Sequence, residues 1–281
     1  SPFAIAKPGA RAEVPEPQST VLPPLETHYS FIISDHYKTD TPEKLHLVVY
    51  DACCPDIKFT ERYKTITGDE TFYVRMPISP EVAIVEVYGD KTGRGVKNAD
   101  EKNFKIVSVE KTPLERRIDM DDIGNAQIRS FVDFAQRFSY NVSNLKPDTT
   151  YSSDDNQYFI LLSETIRGNN GQELTTPARV GRNTGIIQVS KQAFTKMTVP
   201  MRMAILLHEF SHFYLNEKID DEMEADLNGL LIYLSLGYPR IEAYQAFLET
   251  FKERPNNLNK ARYDLINKFI NDFEKMNMVI K

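Results

Sequence analysis

Cysteine is nearly absent from this sequence of 281 residues, which contains only Cys53 and Cys54, next to each other in the chain. Neighbouring cysteines cannot link distant segments, so the sequence excludes a framework of disulfide bonds. With no other cysteine, a thiolate zinc site is excluded as well, and any metal must be held by histidines and carboxylates. We interpret the pair as two small buried residues at the end of a strand.

Long apolar runs are also missing, since none approaches the roughly 18 residues of a transmembrane helix. Residues 1–6 lack the charged start and the apolar core of a signal peptide, although a chain that begins with Ser1 leaves room for a presequence removed earlier. The net charge of −6 provides no attraction to nucleic acid or to anionic membranes. We therefore expect a soluble protein with no membrane span and no nucleic-acid partner, in the cytoplasm or within a larger assembly.

Proline is concentrated at the start of the chain, where residues 1–25 hold six of the sixteen prolines. Such a stretch favours extended, polyproline-like backbone and cannot pack a core of its own. We expect residues 1–25 to form an extended arm or linker.

Residues 26–112 show short runs typical of strands, separated by turn residues such as Gly68. The predicted strands are 29–33, 45–50, 57–63, 71–76, 82–88 and 104–109. This spacing predicts a small antiparallel domain that is β-sandwich-like or an open barrel. Because the segment contains no catalytic constellation, we interpret it as a docking or binding domain.

From residue 113 onward the pattern changes, and the sequence predicts a second domain over residues 113–281. Residues 119–122 are expected to cap a helix that ends near residue 140. Two strands are predicted at 158–162 and 185–189, followed by helices at 200–216, 221–235, 239–252 and 257–276. The fold class predicted for the whole chain is therefore α+β.

The second domain contains the motif His-Glu-x-x-His, in which His208 and His212 are separated by one helical turn. Residues four apart lie on one face of a helix, so both imidazoles can reach one Zn²⁺ at about 2.0–2.1 Å. Glu209 follows the first histidine and is placed to take a proton from a water that the metal activates, then to pass it to the leaving amine. The apolar residues 204–207 before the motif indicate a buried helix.

A third ligand is expected from the acidic run at residues 217–226, which holds six carboxylates. Acidic residues are also common on solvated faces and at helix N-termini, which accounts for part of the run. That explanation fits Glu222 and Asp226 less well, because they share an i,i+4 face of a helix whose other side is rich in leucine.

The combination of this motif with Glu222-Met223-Glu224-Ala225-Asp226 resembles the gluzincin metallopeptidases. The similarity is greatest to the minimal catalytic domains of the HtpX-like and CAAX-prenyl-peptidase enzymes and of the ImmA/IrrE-like peptidases, and it covers about residues 185–250. The resemblance implies a zincin-like metallopeptidase domain, with Glu222 as the third zinc ligand. It also implies that Asp226 supports a ligand histidine through the free ring N–H, most directly His208.

The chain departs from that pattern in its spacing, since only nine residues separate His212 from Glu222. The connecting turn must be tight, and Glu224 and Asp226 remain alternative ligands. An oxyanion donor is also expected near the metal, with four tyrosines as candidates: Tyr214, Tyr233, Tyr238 and Tyr244. Ile186, Ile187 and Gln188 are expected to form an edge strand that binds extended substrate, or else an ordinary core strand.

Three functions are compatible with these features. The first is a zinc-dependent endopeptidase that acts on a protein or peptide substrate, with Glu209 as general base. The second is a structural component of an assembly, for example a phage particle or a secretion-type complex, that keeps a metallopeptidase fold and docks through the arm and the β domain. The third is a metal-independent regulator in which the histidine motif occurs by chance.

Overall fold

A computed structural model of the protein describes residues 18–25, 31–89, 104–114, 125–253 and 255–277. The strands of this part of the chain are β1 (Thr20–Val21), β2 (Phe31–Asp51), β3 (Lys58–Met76), β4 (Ala83–Gly89), β5 (Phe104–Pro113), β6 (Thr149–Ser152), β7 (Phe159–Ser163), β8 (Ile166–Arg167), β9 (Glu173–Leu174), β10 (Ala178–Val180) and β11 (Ile187–Ser190). The α-helices are α1 (Ala126–Asn141), α2 (Lys191–Phe194), α3 (Val199–Tyr214), α4 (Glu222–Ser235), α5 (Arg240–Glu253) and α6 (Asn257–Asn277). The predicted α+β class is confirmed.

Contacts divide the chain into two compact units, and the first of them contains residues 25–116 together with 237–239. Its strands form one antiparallel sheet of four strands with β2 in a central place. β3 pairs along most of one edge of β2, whereas β4 and β5 pair with opposite halves of the other edge. The described strands are therefore joined in a single paired sheet rather than in the two separate sheets of a sandwich.

The predicted short strands were wrong in their divisions, because β2 and β3 each run through two of them. Residues 29 and 30 of the first predicted strand lie outside the described residues. Gly68, predicted to mark a turn, lies inside β3 with a φ of +73° and pairs with Thr39. The register shifts between Thr39 and Glu43, so the turn-forming residues mark a bulge within a long hairpin.

The bulge keeps one face of β2 buried on both of its sides. Before the bulge the buried positions alternate through Ile33, Asp35 and Tyr37, which is typical of a sheet with one buried face. After it His46 and Val48 are buried as well as the residues on that face, so both faces of β2 are covered from residue 45 to residue 49. Asp35 is completely buried.

The second unit contains a mixed five-stranded sheet in the order β1-β6-β7-β11-β10. β1 is the last part of the predicted arm, and its two residues pair in parallel with β6. Arg137 of α1 donates a 2.8 Å hydrogen bond to the carbonyl of Leu22, which is 2% exposed. The described end of the arm is therefore part of this unit, while residues 1–17 lie outside the described part of the chain.

The helices of the second unit follow the sequence prediction closely. α3 to α6 begin and end within two residues of the predicted bounds. α1 begins after Asn125, whose side chain accepts hydrogen bonds from the next turn, and the predicted cap at 119–122 lies outside the described residues. Phe131 of α1 stacks on Phe210 of α3 with ring centroids 4.1 Å apart, which places α3 in the core. Among the described residues, no helix is long and apolar enough to cross a membrane.

Candidate metal centre

Helix α3 carries the two motif histidines through the core of its unit. The Thr198 side chain caps its first turn by accepting a hydrogen bond from Met201, and Pro200 occupies the first turn, where its missing N–H costs nothing. Residues 203–207 are buried, so the helix is held firmly before the motif. The Nε2 atoms of His208 and His212 lie 3.1 Å apart.

A tight reversal joins α3 to α4, as the short spacing requires. The Asn216 side chain donates a 2.8 Å hydrogen bond to the carbonyl of Asp221, and the Asp221 side chain caps α4 by accepting from the Glu224 N–H. α4 then begins at Glu222. In the Glu222 carboxylate, Oε2 lies 3.5 Å from Nε2 of His208 and Oε1 lies 3.6 Å from Nε2 of His212.

The structure brings together His208, His212 and Glu222, whose potential ligand atoms all lie within 4.8 Å of one another. The alternative ligand Glu224 faces the connecting turn instead, where it accepts a 2.9 Å hydrogen bond from the Glu217 N–H. The other alternative, Asp226, lies on the far side of the His208 ring, 2.9 Å from Nδ1. The geometry thus favours Glu222 over both alternatives.

Each motif histidine has a partner at Nδ1, which indicates which ring nitrogen carries a hydrogen. Nδ1 of His212 donates to the carbonyl of Ile219 at 2.7 Å, because a carbonyl can only accept. Nδ1 of His208 makes an ion-pair contact with Asp226, although its geometry falls short of a hydrogen bond. In the neutral form with its hydrogen on Nδ1, each ring has its lone pair on Nε2, where it can face a cation.

Three lone-pair donors that converge in this way suit a cation. Two ligands at about 2.0–2.1 Å on a tetrahedral zinc are separated by about 3.3 Å, close to the observed 3.1 Å between the two Nε2 atoms. The same electrostatic pull acts on protons. Burial opposes the charge on His208, but Asp226 and Glu222 outweigh it and raise the pKa of His208 to about 10.

Arg262 of α6 completes the surroundings of the site and was missed by the sequence analysis. Its guanidinium donates two hydrogen bonds to Asp226, at 2.7 and 2.9 Å, and its Nη1 lies 3.1 Å from Glu222. It also lies over the ring of Phe251 at 4.9 Å. Although burial disfavours its charged form, Arg262 and His208 lower the pKa of Asp226. The pKa of Glu222 is also lowered despite burial, chiefly by His208 and His212 and in addition by Arg262.

A signal for Arg262 does exist in the sequence. Arg262, Ile266 and Ile270 recur at helical spacing, and all three are buried in the structure. An arginine on the apolar face of a helix requires a buried anionic partner, because an unpaired buried charge costs several kcal/mol. The pattern indicates that a partner exists, but it does not identify Asp226.

Glu209 follows His208 on α3 and has a polar partner of its own. Its Oε2 accepts a 2.8 Å hydrogen bond from the backbone N–H of Val180 in β10. Burial raises the pKa of Glu209, and only part of that rise is offset by the two histidines. A carboxylate with a raised pKa is a better proton acceptor, which is the property expected of a general base.

Close packing of α3 against α4 depends on Gly229. A Cβ atom at this position would lie 3.0 Å from the backbone N of His208 and 3.1 Å from the backbone C and O of Leu207. Both neighbours belong to the backbone of α3 and cannot move aside as a side chain can. The absence of a side chain at Gly229 therefore allows the helix with Glu222 to approach the helix with the histidines.

Of the two alternatives predicted for Ile186, Ile187 and Gln188, the structure has the ordinary core strand and not the edge strand. β11 is an interior strand that pairs with β7 on one side and with β10 on the other. The Gln188 side chain accepts from Arg179 and donates to Ser163, so it is engaged within the sheet. The edge-strand alternative failed because the three-residue β10 was not recognised, and it is β10 that occupies the edge.

The four tyrosines considered as oxyanion donors lie in different surroundings. Tyr233 and Tyr238 are almost completely buried, and the Tyr244 hydroxyl donates a 2.8 Å hydrogen bond to Asn267. Tyr214, at the end of α3, stacks on Phe210. The oxyanion donor remains a prediction without an assigned residue.

No protein-family model, curated protein or solved structure matches this chain. Any assignment of function must therefore come from the geometry of the residues themselves.

Proposed function

We propose that this chain is a zinc-dependent endopeptidase with His208, His212 and Glu222 as the zinc ligands. The observation that carries the proposal is the convergence of two histidine lone pairs and one carboxylate beside a second, partly buried carboxylate, Glu209. Three protein ligands of this type leave one coordination position open, which distinguishes catalytic zinc sites from structural ones. When bound, zinc would supply a Lewis acid that makes a water molecule acidic at neutral pH.

Glu209 would act as the general base. Its raised pKa suits it to accept a proton from the attacking water and to return that proton to the leaving amine. The Val180 N–H holds one oxygen of the carboxylate at 2.8 Å, so the side chain has a fixed orientation before substrate arrives. Fixed orientation lowers the entropic cost of the reaction.

An extended segment of a protein would be a suitable substrate because β10 is an edge strand of the sheet. Its pairing in the described part of the chain is with β11 alone, and its Val180 N–H points to Glu209. An extended peptide that adds to such an edge gains backbone hydrogen bonds independent of sequence. This supports hydrolysis within a polypeptide and assigns to β10 the role first expected of Ile186, Ile187 and Gln188.

The test is a comparison of Glu209→Gln with the parent, using an unfolded protein such as casein as substrate. We expect the variant to retain zinc and to lose at least about 10²-fold in cleavage rate, the usual contribution of a general base. The exposed Glu217→Gln is the matched control and should cleave at the parental rate. Cleavage by Glu209→Gln at the parental rate would disprove the proposed role.

A role as a structural component of an assembly is the second candidate, and β5 provides the observation in its favour. Ile106, Val107 and Val109 of β5 are each more than 50% exposed, and adjacent exposed apolar residues are typical of docking surfaces. Two separate variants distinguish the two functions: one lacks residues 1–17, and the other carries Glu209→Gln. Assembly lost only in the deletion supports docking, and loss of the biological role only in Glu209→Gln supports catalysis.

A further inference from the structure

The two cysteines lie in an exposed turn that connects β2 to β3, not in the core as the sequence had suggested. Cys53 is exposed and Cys54 is half-buried. The turn is held by backbone hydrogen bonds from Cys54 to Asp51 at 3.1 Å and from Ile57 to Cys54 at 2.9 Å. The Cys53 N–H also donates to the Asp51 carboxylate at 2.9 Å, so the backbone around both thiols is fixed.

The two sulfur atoms are turned towards each other and lie 2.7 Å apart. Two thiols on neighbouring residues have other rotamers available that separate them, so this approach places them in position to react. The pKa of Cys54 is raised to about 11, chiefly by its hydrogen bond with Cys53. Two thiols this close ionise one after the other, not together.

A metal site does not explain the pair. Among the described residues, the three side chains that are close enough together to hold a metal ion are His208, His212 and Glu222. Neither cysteine belongs to this group. Cys53 is exposed and Cys54 is half-buried, so small oxidants can reach the pair through Cys53.

We propose that Cys53 and Cys54 form a reversible redox pair that low-molecular-weight disulfides such as oxidised glutathione convert to a vicinal disulfide. The thiolate of Cys53, the more exposed of the two, attacks the oxidant, forms a mixed disulfide and releases one reduced glutathione. The Cys54 thiolate then attacks the Cys53 sulfur and displaces the second glutathione. One disulfide is reduced to two thiols while two protein thiols lose two electrons and two protons, so the step balances.

The bond formed in this way is easily reduced. Neighbouring Cα atoms are about 3.8 Å apart, below the usual disulfide range of about 4.4–6.8 Å. Strained and exposed disulfides are the labile and regulatory ones. This inference is independent of the proposed peptidase activity, because it concerns the other compact unit of the chain.

The experiment exposes the reduced full chain to oxidised glutathione and measures its intact mass under non-reducing conditions. The parent is expected to lose the mass of two hydrogen atoms and to carry no glutathione. Because the chain has no other cysteine, that product must join Cys53 to Cys54. Cys53→Ser and Cys54→Ser, which cannot close the ring, are expected to retain one glutathione each.

Three results would overturn the proposal. They are glutathione adducts as the main product of the parent, disulfide-linked dimers, and a parent that stays reduced where both serine variants are modified. Reversibility is tested by adding reduced glutathione in excess, which is expected to restore both thiols. A bond that persists in that excess would contradict the labile character. Circular dichroism of the serine variants verifies that the fold is unchanged.

Discussion

Asp226 and Asp35 are both completely buried carboxylates, one in each compact unit, and their surroundings differ. Asp226 accepts two hydrogen bonds from Arg262 and contacts the ring of His208. Within the described residues, neither oxygen of Asp35 has a hydrogen-bond partner. The pKa of Asp226 is lowered, whereas burial raises the pKa of Asp35 to about 6.

The difference shows what marks a site in this molecule. Burial without a paired charge makes the ionised form of Asp35 costly for stability. The Tyr37 hydroxyl offsets only part of the rise in the Asp35 pKa, and the contact between them does not have the geometry of a hydrogen bond. Around Asp226, charges of both signs are arranged so that each group orients the next, from Arg262 through Asp226 to His208. Convergent, paired charge is therefore the stronger indication of function.

The largest effect is expected from Arg262→Met. This change leaves Asp226 and Glu222 without their shared cation, and breaking a buried ion pair on one side typically costs about 3–5 kcal/mol. Urea denaturation measures the free energy of unfolding. Arg240→Met is the control, since it removes an exposed pair with Glu274 and should cost no more than about 1 kcal/mol. Equal losses of stability in Arg262→Met and Arg240→Met would contradict the view that Asp226, unlike Asp35, is stabilised by a buried partner of opposite charge.

Asp35→Asn is expected to stabilise the protein at neutral pH, whereas Arg262→Met is expected to destabilise it. Because the folded pKa of about 6 lies above the ordinary 3.8, the folded state binds the proton more tightly. The free energy of unfolding therefore falls as pH rises from about 4 to about 6 and stays level above. At pH 7.5 the variant should be more stable than the parent by up to about 3 kcal/mol, at 1.36 kcal/mol per unit. Urea denaturation at pH 4 and 7.5 measures this, and a destabilised variant at pH 7.5 would contradict it.

Gly229→Ala tests the close approach of α4 to the histidines. The added Cβ meets backbone atoms of α3, so we expect a loss of about 1–3 kcal/mol and weaker zinc binding as Glu222 is displaced. Gly168→Ala is the control, since its Cβ would meet only side chains. Thermal unfolding and zinc titration measure both effects. A more stable Gly229→Ala, as helix propensity alone predicts, would contradict this account.

The smallest effect is expected from Arg182→Ala. Arg182 pairs with Asp220 at 2.8 Å, but both side chains are at least 60% exposed. Exposed pairs of this kind contribute less than about 1 kcal/mol, so stability and zinc affinity should be nearly unchanged. Zinc titration provides the measurement. A large loss of affinity would mean that the turn between α3 and α4 depends on this surface contact.

The sequence predicted the helical features well because their evidence is local. The spacing of His208 and His212, the apolar residues before them and the capping residues all act within one or two turns. The position of Glu222 required the resemblance to a family as well as the acidic run. The structure adds the reason that a short connection suffices, which is the cap at Asp221 and the hydrogen bond from Asn216.

Features that depend on distant parts of the chain were not predictable in the same way. Arg262 lies 36 residues after Asp226, and nothing in the sequence between them indicates their contact. The residues around Gly68 are of types that form turns as well as bulges. Only the pairing of β2 with β3 shows that they form a bulge here. β10 is too short to show alternation, although it forms the edge of the sheet.

Metal analysis after dialysis against zinc is the decisive measurement of whether His208, His212 and Glu222 hold zinc. We expect about one zinc per chain in the parent and in Glu224→Gln, whose carboxylate faces the connecting turn. In Glu222→Gln and in His208→Ala we expect at least tenfold weaker binding. A parent without zinc, or a loss in Glu224→Gln as large as that in Glu222→Gln, would contradict this assignment of the ligands.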